Sequence, residues 1–434
     1  MRKINISIRN AAILLIGSVV IITVMMADAL SSENRTLSVG VAKVNITPQT
    51  PIPMSGYGSR KDPFTGVHDD LFSRVVVFSD GENKAVIITA DIIGFSHDFL
   101  EKFTDRLERE TGITKEFILL APAHNHGGPV TRVYNRAVSP EVLAYVDVLE
   151  EKMAGAVKEA INDMQPVLIG GGTGECLMNI NRRALHPKDG IALGRNPYGP
   201  CDHEVGVIRI DDTKGNIVSL LYNWPCHGTT TGPKNYQITG DWPGAASRYI
   251  ETELDDKVIA PVTIGASGDI NPIYGPHIDF ESESRFYSYG VESIGIILGK
   301  EVIKVAEAIR VSGAGSINAL QRIVTLPGKT DDSKLQQPDT FSESGLKIRL
   351  TVLKIGNIIM AGVSGEVFNE IGVELKKQSP YANTFMVTHC NGSSGYLITD
   401  KAYEEGGYEA RSTRAKSGAE KALIDNLLDM INEL

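Results

Sequence analysis

Concentrated positive charge is what this chain most clearly lacks. Its 43 Lys and Arg are outnumbered by 53 Asp and Glu, for a formal net charge of −10, and no Lys/Arg cluster stands out. Binding to a phosphate backbone needs a basic patch, so a nucleic-acid partner is excluded. Cysteine is also scarce: Cys176, Cys201, Cys226 and Cys390 are the only four, and none forms a CxxC spacing. A cysteine zinc site is therefore not expected, and any disulfide pairing stays open. Long apolar runs are absent apart from Ala11 to Ala27. No repeat, low-complexity tract or convincing linker divides the rest of the chain.

The one apolar run lies behind a basic start (Arg2, Lys3, Arg9) and ahead of Ala27-Asp28-Ala29, a small-x-small cleavage pattern. Residues 1–29 read as a signal peptide and 30–434 as a single catalytic domain, exported to the periplasm, the cell surface or the medium. An uncleaved anchor is the alternative, since about 17 apolar residues approach the length that spans a bilayer.

With 42% hydrophobic and 22% charged residues, the chain has the composition of an ordinary globular protein. Short apolar runs read as buried strands: 84–91, 117–122, 205–211, 216–224, 258–265, 346–363 and 384–390. Asp-Asp-Thr-Lys-Gly at 211–215 and Gly356-Asn357 predict hairpin turns. Helical periodicity appears at 98–110, 140–163, 244–255, 286–309, 366–377 and 416–432. The mixture predicts an α/β fold with a mixed β-sheet core and flanking helices. The polar stretch 325–345 reads as a surface loop.

Polar residues fall where these runs end. Asp91 follows AVIITA, His124 and His126 follow FILLAPA, and His227 follows LLYNWPC. Asp269 follows VTIGASG, Glu366 follows IIMAGVSG, and His389 ends TFMVT with Tyr396 shortly after. In open α/β sheets ligands are held beyond the carboxyl ends of strands, so these residues are expected to converge. Neutral imidazoles and a carboxylate suit a catalytic Zn2+ with one position left open. Taken singly, each has a plainer reading as a cap, a turn or a satisfied core residue.

The ordered segments VGVAKVNITP, MSGYGSR, GVHDDLFSRVVVF, AHNHGGP, MNINRR, DHEVGVIRID, NWPCHGTT, GDWPGAAS, GDINP, SGEVFNEIG and SGYLITDKAYEEGGYE resemble the catalytic domain of the neutral, non-lysosomal ceramidases. The resemblance implies a zinc-dependent amidase acting on an N-acylated lipid, with His124, His227, Glu366 and Tyr396 as zinc ligands. It implies that His126, Arg182 and Tyr408 act on the reacting group, Arg182 being preferred to its neighbour Arg183 by motif alignment. Asn271 and Asp269, in GDINP, are placed at the substrate; for Asp91 and Asp269 a second metal, a turn or an outer contact of the zinc site also stays open, with a structural role favoured. The implied partner is a small lipid or acylated substrate, with peripheral membrane contact.

Two departures from the family pattern support other expectations. Asn271 stands where the family has a serine, so no hydroxyl is available there. The family's C-terminal β-sandwich has no counterpart in the sequence. Hydrolysis of another acyl substrate such as an acylated sugar, or a degenerate lipid- or glycan-binding protein, are the alternatives. The (β/α)8 amidohydrolase barrel also uses His-x-His, but on its first strand, whereas here other strands precede the pair.

Overall fold

A computed structural model describes residues 35–132, 138–275, 283–329, 341–342 and 345–434. The leader expected at 1–29, and most of the loop expected at 325–345, lie outside the described residues. Among those described, no helix is long and apolar enough to cross a membrane.

Two sheets carry the fold. The larger has eight strands, in the order Val262–Ile264, Ile217–Trp224, Glu204–Asp212, Gln165–Glu175, Ser38–Asn45, Phe72–Ser79, Lys84–Ala90 and Ile118–Pro122. Its two outermost pairs are parallel and every other pair is antiparallel. The smaller sheet runs Ile317–Leu326, Gly345–Ile355, Ile358–Val363 and Asn383–Val387, with the last pair again parallel. Both predicted hairpins form, Glu204–Asp212 with Ile217–Trp224 and Gly345–Ile355 with Ile358–Val363. Gly356 (φ 58°) supplies the left-handed residue that the second turn requires.

The sheets pack face to face, so that Val76, Ile87, Leu119, Ile208 and Leu221 of one meet Leu353, Met360, Phe385 and Val387 of the other. Helices His97–Thr111 and Pro140–Asn162 cover the outer face of the larger sheet at one end, through Phe103, Leu107, Leu149 and Val157. Asp241–Glu253 and Glu283–Ala308 cover the other end, and Asn369–Gln378 with Ala419–Glu433 cover the smaller sheet. The order of layers is thus α-β-β-α. Strands sandwiched this way are buried on both faces, which is why Lys84–Ala90 reads as a continuous apolar run with no alternation.

Loops leaving both sheets meet at one crevice. Asn125, after the strand Ile118–Pro122, forms a parallel bridge with Gly228, after Ile217–Trp224, although those strands lie toward opposite edges of the larger sheet. A turn at 388–391 stitches the smaller sheet to the same place: Thr388 N donates to Ile264 O at 2.8 Å and Asn391 N to Leu120 O at 3.0 Å. The four cysteines are unpaired.

Candidate metal centre

His124, His126 and His227 each offer one ring nitrogen, and these three atoms lie within 4.8 Å of one another. His124 follows the strand Ile118–Pro122, and its Nδ1 sits 3.0 Å from Ile93 O. A carbonyl only accepts, so Nδ1 carries the proton and Nε2 presents a lone pair. His227 is fixed in the same way, with Nδ1 2.7 Å from Ser267 O and 3.1 Å from Ile270 O. Glu366 Oε2 faces both rings, 3.8 Å from His124 Nε2 and 3.5 Å from His227 Nε2. That oxygen is buried and makes no hydrogen bond.

His126 differs from the other two. Its Nε2 lies 3.3 Å from His124 Nε2, but its Nδ1 is buried with no partner. The ring packs on Gly56 (φ 98°), where a side chain's Cβ would sit 2.5 Å from Nδ1, and edge-on to Tyr57 at 5.1 Å. Arg60, buried on backbone carbonyls, donates to His126 O at 2.5 Å and holds the main chain there.

Burial and the neighbouring imidazoles hold His124 and His126 well below the usual histidine range, so both are neutral near pH 7. Burial alone would raise the Glu366 carboxyl, but its surroundings, which include the positive charge of Arg132, hold it well below its ordinary value. Neutral imidazoles beside an ionised carboxylate are the protonation states a divalent cation needs. Two imidazoles bound to one ion at about 2.0–2.1 Å bring their ring centres to about 5 Å. The His124 ring centre lies 4.9 Å from that of His227 and 5.0 Å from that of His126. The orphaned Glu366 oxygen, the carbonyl-anchored rings and this spacing all fit a metal ion.

Glu366 and Tyr396 enter together, as Cα partners in a short parallel ladder. Burial pushes the Tyr396 phenol well above its ordinary pKa, with Glu366 adding to the rise and Arg182 opposing it. Arg182 reaches the same place from the strand Asn179–His186. Its Nη2 donates to Tyr396 Oη at 3.0 Å and its Nη1 to Asn271 Oδ1 at 3.3 Å, while Nη1 lies 3.4 Å from His227 Nε2. Arg183 points elsewhere, to Glu405 and to the carbonyls of Ala402 and Gly406. Both arginines share Glu409, Arg182 Nε with Oε1 at 2.8 Å and Arg183 Nη1 with Oε2 at 3.0 Å. Adjacent strand residues normally face opposite ways, and here the register breaks between Asn181 and Arg183, letting both turn to one carboxylate.

Tyr408 opens the helix Tyr408–Ser412, is 40% exposed, and sets its ring edge-on to Tyr396 at 5.8 Å. It stands at the rim, in reach of solvent. Asp269 lies at the base of the site: one oxygen accepts from Asn181 Nδ2 and the other from Asn369 N, each at 2.9 Å, and its carbonyl accepts from Arg182 N at 2.8 Å. Burial raises its carboxyl to about 6. Asp91 stays outside the cluster, paired with Arg74 at 3.2 Å. Asn271 joins the site through Arg182.

Two contributors were not singled out from sequence. Glu409 reads as one more helical acid, and the carbonyls of Ile93, Ser267 and Ile270 carry no residue signature at all. Only the adjacent Tyr408 pointed toward the first.

The family model of neutral/alkaline non-lysosomal ceramidase, N-terminal, matches residues 37–284. Neutral ceramidase of Oryza sativa is 28% identical over 243 residues, 53% of this chain and 31% of that protein. Neutral ceramidase of Mycobacterium tuberculosis is 27% identical over 266 residues, 56% of this chain and 41% of that protein. The match thus spans well under half the length of either relative. The crystal structure of neutral ceramidase from Pseudomonas aeruginosa superimposes with a TM-score of 0.75 at 17% identity, covering 92% of this chain and 74% of that one. Glu366, Tyr396 and Tyr408 fall beyond the matched segment but inside a fold that is shared almost throughout. Since the family model covers more than half of the sequence, the chain belongs to the neutral/alkaline non-lysosomal ceramidase family.

Proposed function

We propose that this protein is an exported, zinc-dependent amidase that hydrolyses the N-acyl bond of a ceramide-like lipid, with 30–434 as its catalytic domain. The observation that carries the reading is the buried Glu366 oxygen without a partner, facing two imidazoles whose Nδ1 protons are already committed to carbonyls. His124, His227, Glu366 and Tyr396 would hold the ion. Bound there, zinc would supply Lewis acidity to polarise the acyl carbonyl and to make water a nucleophile near neutral pH.

The chain's own groups supply the rest. His126 is neutral and its Nε2 faces the cluster, 3.3 Å from His124 Nε2, so that nitrogen is placed to take a proton from the attacking water and pass it on. Arg182 keeps its charge: burial would weaken it, but Tyr396 and Glu409 hold its pKa above the ordinary value. Its Nη groups face the cluster and stabilise negative charge developing on the carbonyl oxygen. Tyr408, at the rim, is placed to donate a proton to the departing amine, which leaves poorly unless protonated.

Elemental analysis of purified protein, with mass-spectrometric identification of products from a lipid and glycan extract, tests this reading. Zinc bound at one equivalent, activity lost in chelator, and release of fatty acid and sphingoid base are expected. Activity undiminished in a zinc-free preparation would overturn it.

A second reading rests on Asn271, whose amide oxygen is taken by Arg182 where the family carries a serine. Here the same centre hydrolyses an acylated sugar or another acyl substrate. A panel of ceramides and N-acyl or O-acyl sugars separates the two. Binding without turnover would point to a degenerate binding protein.

A further inference from the structure

Six non-glycine residues with positive φ occur among the described residues, and two of them, His124 (φ 46°) and His389 (φ 56°), carry rings that lie on each other. The ring centres are 3.6 Å apart and the planes 12° from parallel. The left-handed region is unfavourable for any residue with a Cβ, so the surroundings must hold both residues there. His389 N donates to Gly365 O at 3.0 Å, next to Glu366. Asn391 (φ 54°), two residues on, clamps the same turn to the strand that leads into His124. Its Oδ1 accepts from Leu120 N at 2.9 Å, its Nδ2 donates to Ile118 O at 2.7 Å, and its own N donates to Leu120 O at 3.0 Å. The two rings are thus tied together through backbone as well as by contact.

His389 is buried, and one of its nitrogens lies within 4.8 Å of the ligating atoms of His124 and Glu366. It would be natural to count it as another ligand. The stack argues otherwise: ring centres of two imidazoles on one ion stand about 5 Å apart, and 3.6 Å is too close. A second ion is also disfavoured, because among the described residues Glu366 is the one carboxylate grouped with these rings, and His124 has a single free lone pair.

We propose that His389 is a positioning residue, whose flat face sets the ring plane of His124 and hence the direction of its Nε2 lone pair. The inference rests on the metal reading only in taking His124 as a ligand. Orienting partners of ligating histidines contribute roughly 10–100-fold to metal affinity.

The test compares His389→Phe, which keeps a flat ring and loses both nitrogens, with His389→Ala and His389→Gln, which lose the ring. Zinc affinity of the full chain is measured by competition with a chromophoric chelator. The Phe variant should bind close to wild type at unchanged stoichiometry, and the Ala and Gln variants about 10–100-fold more weakly. Equal loss in Phe and Ala would make His389 a donor, and wild-type affinity in all three would remove its role; either result overturns the proposal. In the metal-free proteins the His124 Nδ1–H signal of 15N-histidine-labelled samples reads the same ring. It should persist in wild type and Phe and broaden by exchange in Ala, and its persistence in Ala would overturn the proposal. Wild-type protein that fails to bind zinc refutes the metal reading instead, while the signal still decides the stack.

Discussion

Glu366 and Tyr396 stand directly opposite each other in a two-residue parallel ladder, though remote in sequence, and so arrive at the cluster as one unit. Metal retention should therefore depend on both sides of the ladder as well as on the imidazoles. His124→Ala and His227→Ala are expected to lose both metal and activity, and Tyr396→Phe to weaken zinc by at least about 10-fold. Metal content after gel filtration checks this, and full retention by His227→Ala would contradict the ligand assignment.

Tyr408 meets the cluster through the Tyr396 ring. Tyr408→Phe should keep its metal and lose on the order of 100 to 1,000-fold in kcat, the size of effect expected when one transition-state donor is removed. Unchanged kcat would place Tyr408 outside the reaction.

Glu409 is 1% exposed and answers two buried guanidiniums at once. Arg183 keeps Glu405, but Glu409→Gln leaves the buried Arg182 without its carboxylate and should destabilise the fold by about 3–5 kcal/mol. Urea unfolding of the two proteins gives the difference. A change within about 0.5 kcal/mol, as at an ordinary surface site, would rule out the shared pairing.

Two buried carboxylates should bend stability with pH in opposite directions. Burial would raise Glu251, but Arg74 and Lys43 hold it below its ordinary 4.5, so its contribution is complete above that value and fades as pH falls through the lower folded value. Asp269 is raised by burial from 3.8 to about 6, so the folded state holds its proton over that interval while the unfolded chain releases it. Stability from this group is full below 3.8 and is lost as pH rises through about 6. Denaturant midpoints of Asp269→Asn against wild type should show a flatter profile between 3.8 and about 6. Parallel profiles would mean that the carboxyl is already ionised there.

Helices were the most legible elements. Periodicity at 98–110 and 140–163 anticipated His97–Thr111 and Pro140–Asn162, because one apolar face of each is buried on the sheet. The run at 258–265 is a strand only over Val262–Ile264. Glycines interrupt the pattern of Gln165–Glu175, so no strand is legible there in the sequence. A Cβ at Gly170 or Gly172 would strike Ile309, just past the long helix, and one at Gly174 would strike Val305 within it, so the strand lies against the end of that helix by having no side chains there. That the sheet would be two sheets, stacked, was not visible either, since a run buried against a helix and one buried against a second sheet look alike in sequence.

Taken alone, the sequence determined that histidines and carboxylates would follow apolar strands, because such runs end abruptly at polar residues. It also favoured Arg182 over Arg183 by motif, though not for a structural reason. Tertiary structure decided the rest. Which ring nitrogens keep a free lone pair depends on carbonyls at Ile93, Ser267 and Ile270, and which arginine enters depends on a break in strand register. Carbonyl direction and strand register belong to the folded backbone and leave no mark on residue identity.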